Sequence, residues 1–173
     1  WYTASNTHDY YGQNGAGGDL HLAELVIETI KAADAAGFNF APYDQNKDGY
    51  VDSVSVIHQG AGEETGAGDN NIWSCSWDLN SAQAFGDGTG EVATNDGVKV
   101  NSFIVQPEHQ YPGTALVTVG VYCHEYGHAL GLTDFYDYGY DSSGLGNWSL
   151  MAGGSWTGKG GDPPSPQGAW RQA

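Results

Sequence analysis

His124-Glu125-Tyr126-Gly127-His128-Ala129-Leu130-Gly131-Leu132-Thr133-Asp134 is the stretch on which the reading of this chain turns. Histidines at i and i+4 stand one above the other on a single helix face. Two imidazoles so placed suit one zinc ion, with about 2.1 Å to each ring nitrogen. Glu125 follows the first histidine, so it can reach a water on the metal without displacing a ligand. Gly131 ends the helix where a residue of positive φ lets the chain turn back. Asp134 then comes round as the third ligand. Two imidazoles and one carboxylate leave a coordination position open for water, and that donor set favours zinc over copper(I) or an iron–sulfur cluster. Glu108 and Asp137 stay open as alternatives for the third ligand.

Working outward, the spacing predicts a helix over about 19–36, with Leu22, Leu25, Val26, Ile30 and Ala33 on one face, Asp19 as N-cap and Gly37 as stop. Residues 1–18 read as irregular. A strand is expected over 51–58, with Val54 and Val56 on one face. A hairpin is expected over 91–105 around Asp96-Gly97, and the motif helix over 116–130. After Gly131 the chain is mostly Gly-rich loop. The fold class is therefore α+β, with one domain over 1–173. Its upper lobe spans about 1–131, and an irregular lower lobe spans about 132–173, with a cleft between them.

Between the first helix and strand, Asp44, Asn46, Asp48, Gly49, Tyr50 and Asp52 match positions 1, 3, 5, 6, 7 and 9 of a calcium loop. Tyr50 would act through its carbonyl. Ser55 stands at position 12, where a bidentate Glu is usual, and a strand replaces the following helix. A structural Ca2+ ion is expected here, against the plainer reading of a polar turn. His58, at the end of the expected strand, reads as a satisfied structural residue.

Composition sets the outer bounds. A formal charge of −16 argues against nucleic acid as a partner, because phosphate binding needs a cationic face. With 39% hydrophobic residues the chain can build a core, yet no apolar stretch approaches the roughly 18 residues of a membrane span. The chain opens on Trp1 with no basic or apolar leader, which reads as a processed start.

The pattern resembles the metzincin clan of zinc peptidases and, more closely, the immune inhibitor A (M6) family of secreted bacterial metallopeptidases. The resemblance runs along nearly the whole chain. It is carried by "YYGQNGAGGD", "YDQNKDGYVDSVSVIHQGAGEE", "IWSCSWDL", "VGVYCHEYGHALGLTDFYD" and "GLGNWSLMAGGSW". It implies a secreted zinc endopeptidase acting on proteins or peptides. The implied fold is a metzincin-like two-lobed domain with a twisted sheet and an active-site helix. The protein would be made as a precursor, with a removed propeptide and flanking domains. His124, His128 and Asp134 would hold zinc, Glu125 would be the general base, and Met151 would be the clan's Met-turn residue beneath the metal.

Two departures stand out. Thr133 occupies a position where many relatives have Pro, and Ala152-Gly153-Gly154 follow Met151 where many clan members carry a Tyr. The oxyanion stabiliser is thus unassigned, with Tyr136 and Tyr138 merely nearby. In an extracellular protein the two cysteines, Cys75 and Cys123, would pair as a disulfide. Two rival readings stand beside the peptidase. One is a zinc-binding relative without activity. The other is a calcium-dependent, adhesin-like binding module, which leaves Glu125, Gly131 and Asp134 unexplained.

Overall fold

A buried helix face and a three-stranded sheet organise the first part of the chain. The computed structural model describes residues 1–110, 113, 115–139 and 141–168, so the end of the expected lower lobe, 169–173, lies outside the described residues. The elements run α1 (His8–Tyr11), β1 (Asn14–Gly15), β2 (Gly18–Asp19), α2 (Leu22–Ala35), β3 (Val54–Ala61), β4 (Cys75–Asp78), α3 (Leu79–Ala84), β5 (Val92–Ala93), β6 (Lys99–Val100), β7 (Ser102–His109) and α4 (Val119–Ala129). The fold is mixed α+β. It divides into two compact units, Trp1–Ala115 and Leu116–Ala173.

In the first unit, α2 buries Leu22, Leu25, Val26 and Ile30, the helical repeat of the sequence. These join Phe103 and Val105 of β7, Val56 of β3 and Leu79 of α3 in one core. Each such side chain contributes roughly 1.5–3 kcal/mol when fully buried. The order of the main sheet is β3-β7-β4, with β3 parallel and β4 antiparallel to the central β7. The ladder to β4 stops at the pair Cys75–Val105, two residues before Pro107, which has no N–H to give.

Several boundaries differ from the sequence reading. The first helix starts at Leu22, not at residue 19, because Asp19 lies in β2 and its carboxylate accepts the Trp73 N–H at 2.9 Å. The helix is instead capped from afar, by Asp87 accepting the Ala23 N–H at 2.6 Å. Gly37 does end it, at φ +82°, with Gly37 N–H on Asp34 O and Phe38 N–H on Ala33 O. The strand expected over 51–58 is shifted to Val54–Ala61, since Val51 N–H bonds to Lys99 O and Lys99 N–H to Gly49 O. The hairpin at Asp96-Gly97 is short, β5 with β6, and β7 is a separate strand after it. Residues 1–18 hold α1, β1 and the first residue of β2, not only loop.

The second unit is built on α4. The HExxH helix groups here, whereas the sequence assigned it to the upper lobe. Close packing of glycines explains the grouping. A Cβ at Gly120 would collide with the Ser155 carbonyl, and one at Gly127 would lie 2.6 Å from Met151 Sδ. The Thr118 hydroxyl also donates to the Gly160 carbonyl. The tight turn Ser149–Ala152 is closed by Ala152 N–H on Ser149 O at 3.0 Å, and it holds Met151 fully buried.

Candidate active site

Helix α4 ends in a bond pattern that positions three side chains at once. Gly131, at φ +83°, donates its N–H to His128 O at 2.8 Å, and Leu132 donates to Gly127 O at 3.0 Å. This is the Schellman arrangement, which reverses the chain just after the second histidine. The reversal brings the Leu132 carbonyl to the His128 ring, whose Nδ1–H donates to it at 2.9 Å. The His124 Nδ1–H donates to the Leu150 carbonyl, also at 2.9 Å, from the turn that carries Met151. Phe135 N–H bonds to Met151 O at 2.7 Å and ties the Asp134 segment to the same turn.

With both Nδ1 protons committed to carbonyls, each Nε2 presents a lone pair. The two Nε2 atoms stand 3.3 Å apart, and Asp134 Oδ1 lies 3.2 Å from each. That oxygen is buried and has no hydrogen-bond partner. Three acceptors thus face one another without a proton between them, an arrangement that a cation relieves. The spacing fits zinc: tetrahedral bonds of about 2.0–2.1 Å separate ligand atoms by about 3.3 Å. Among the described residues, His124, His128 and Asp134 are the one set of three His, Cys, Asp or Glu side chains able to hold a metal. Burial, the larger influence, holds the His124 imidazole below its ordinary pKa, and the bond to Leu150 O opposes it. The neutral ring is the form that binds metal.

Neither alternative third ligand belongs to this set. The Asp137 carboxylate is occupied by its own loop, accepting N–H groups of Gly139 and Ser142, each at 2.9 Å. Its side-chain hydrogen bond with Asp141, the leading cause, and these N–H groups hold its pKa below the ordinary carboxylate value. Glu108 lies on β7, 3.7 Å from His109. Glu125 is buried on α4 beside His124. Met151 packs against Gly127, the residue before His128.

Tyrosines surround the carboxylate. The Tyr138 hydroxyl donates to Asp134 Oδ2 at 2.9 Å. Tyr136 stacks near His124 with ring centroids 6.4 Å apart, and burial and then a hydrogen bond to Asp134 push its hydroxyl pKa up. The sequence noted both tyrosines only as neighbours. It gave no signal at all for the Leu132 and Leu150 carbonyls, since any residue supplies one.

In the first unit, the Asp44–Asp52 loop turns its side chains onto its own backbone. Asp44 accepts N–H groups of Asp48 at 3.1 Å and Gly49 at 3.0 Å, Asn46 that of Asp48 at 3.0 Å, and Asp48 that of Tyr50 at 2.9 Å. Gly49 adopts φ +91°, the conformation that the glycine at position 6 supplies. Asp52 bonds through its N–H to Tyr43 O. Cys75 stands on β4 in the first unit and Cys123 on α4 in the second. His58 is buried, its Nδ1 lies 3.2 Å from His8 Nε2, and burial brings its pKa down to about 4; its buried Nε2 has no hydrogen-bond partner, so it is not the satisfied residue that the sequence suggested.

A family model described as the immune inhibitor A peptidase M6 catalytic domain matches residues 1–172. Immune inhibitor A of Bacillus thuringiensis subsp. alesti is 33% identical over 92% of this chain and 26% of its own length. The pre-pro-metalloprotease PrtV of Vibrio cholerae serotype O1 (strain M66-2) is 33% identical over 98% of this chain and 20% of its own length. The chain therefore spans about a quarter or less of these relatives. Together the family match and these relatives define a metallopeptidase domain, a hydrolase. The chain belongs to the immune inhibitor A (M6) peptidase family.

Proposed function

We propose that this domain is a secreted, zinc-dependent endopeptidase that hydrolyses peptide bonds of protein substrates. The observation that carries the reading is the unpartnered Asp134 Oδ1, 3.2 Å from both histidine Nε2 atoms. His124, His128 and Asp134 would hold the metal. When bound, zinc would supply Lewis acidity, polarising the scissile carbonyl and lowering the pKa of water. Glu125, next to the first ligand, takes the proton of the attacking water and delivers it to the leaving nitrogen. Met151 floors the site through Gly127.

Secretion, a metzincin-like cleft between two lobes, a removed propeptide and flanking domains are part of the same proposal. The family membership supports them, as does the word "pre-pro" in the name of the Vibrio relative. Among the described residues no helix is long and apolar enough to cross a membrane. The proposal is tested by metal exchange. A zinc chelator is expected to abolish casein cleavage, and stoichiometric zinc to restore it; cleavage that persists in zinc-free protein would refute it.

The Asp44–Asp52 loop supports a second, structural proposal. Its turn, with glycine at position 6, resembles a calcium loop, and Asp44, Asn46, Asp48, the Tyr50 carbonyl and Asp52 are its proposed ligands. Millimolar calcium is expected to raise the melting temperature of the wild type, because a ligand of the folded state alone adds stability. Asp48→Ala is expected to remove that response. Identical melting in calcium and in EGTA, at constant zinc content, would rule the site out.

A further inference from the structure

Resting on the zinc reading above, we propose that Tyr138 is a positioning residue: its hydroxyl holds Asp134 so that the carboxylate meets the metal through Oδ1 alone. The three ligands are oriented in two different ways. Each histidine is fixed by a backbone carbonyl, Leu150 for His124 and Leu132 for His128. Asp134 is fixed by side chains: Tyr138 donates to Oδ2 at 2.9 Å, beside the hydrogen bond from Tyr136, while Oδ1 faces both Nε2 atoms.

The two oxygens of a carboxylate are chemically equivalent, and an unrestrained carboxylate can bind a cation through both. Two-oxygen binding by Asp134 would fill the position that a catalytic zinc keeps open for water. A hydrogen bond on Oδ2 opposes the rotation that brings this oxygen to the metal, and it fixes the lone pair that Oδ1 presents. Partners of this kind change metal affinity by about 10–100-fold. The hydroxyl reaches a carboxylate that is only 10% exposed, although Tyr138 itself is 70% exposed. Little core packing therefore depends on it. Its ring meets Tyr136 edge-on, with centroids 5.1 Å apart, and this contact survives loss of the hydroxyl.

Tyr138→Phe in the full-length protein isolates the hydroxyl. Zinc affinity, measured by competition with a chelator, is expected to fall about tenfold or more. In the cobalt-substituted protein, the visible absorption is expected to weaken as the carboxylate shifts towards two-oxygen binding. The melting temperature of the metal-free protein is expected to stay that of the wild type. Zinc affinity within twofold of wild type together with an unchanged cobalt spectrum overturns the proposal. So does a lowered metal-free melting temperature with affinity intact, which assigns the tyrosine to loop packing. A wild type that takes up no zinc sinks the metal reading itself. Zinc lost in His128→Ala but fully kept in Tyr138→Phe leaves that reading standing and removes only this inference.

Discussion

Glu125→Gln is expected to bind one zinc per chain and to lose proteolysis by a factor of at least about 100, the lower range for a general base. Such a loss corresponds to about 2.7 kcal/mol of transition-state stabilisation. The amide has nearly the volume of the carboxylate, so the buried position on α4 is refilled without a cavity. None of the three convergent ligand atoms belongs to Glu125, which is why metal content and activity should separate. The loss should fall on kcat more than on KM, since a base acts only as the proton moves. Zinc analysis and peptide cleavage on the same preparation give the answer. Full activity in this variant removes Glu125 from the mechanism. Equal loss of zinc and activity would mean that it acts through the metal's binding and not on the proton.

The site was more legible than the fold because the interactions that make it are of shorter range. The His124-to-Asp134 constellation spans eleven residues, and its convergence begins with one helical turn and one glycine at φ +83°, although the Leu150 carbonyl that orients His124 is 26 residues away. Both are local properties, so spacing alone predicts convergence. Gly37 was read correctly as a helix stop for the same reason. The start of that helix was missed because its cap is Asp87, 64 residues away, while the local candidate Asp19 bonds to Trp73. The run 98–105 looked like one hairpin arm because β7 is buried on both faces and shows no alternation. The grouping of α4 depends on Gly120 and Gly127 lying against Ser155 and Met151. A glycine within a helix reads in sequence as a weakness, and only the structure displays the neighbour that occupies the missing side chain's place. The tyrosine on Asp134 shows the same limit, since proximity in sequence does not say which atom a hydroxyl will meet.

His128→Ala should have the opposite signature to the glutamate variant, with zinc and activity lost together. The substitution removes one of three acceptors and leaves, among the described residues, His124 Nε2 and Asp134 Oδ1 as the convergent protein atoms. At structural zinc sites an apparent binding energy of about 10–16 kcal/mol is shared by four ligands, roughly 2.5–4 kcal/mol each. One imidazole fewer should therefore weaken zinc binding by roughly 100- to 1000-fold. The fold should suffer less. The Leu132 carbonyl loses its ring donor, at about 1 kcal/mol for one hydrogen bond, but the Schellman bonds that turn the chain at Gly131 are made by backbone atoms alone. Metal-free His128→Ala and metal-free wild type should then melt within a few degrees of each other. Added zinc should raise the melting temperature of the wild type and leave the variant's unchanged. Asp134→Ala should fall on the same side, losing zinc where Glu125→Gln keeps it. A His128→Ala protein that still carries stoichiometric zinc, with the wild type's response to added metal, would move the metal centre away from α4.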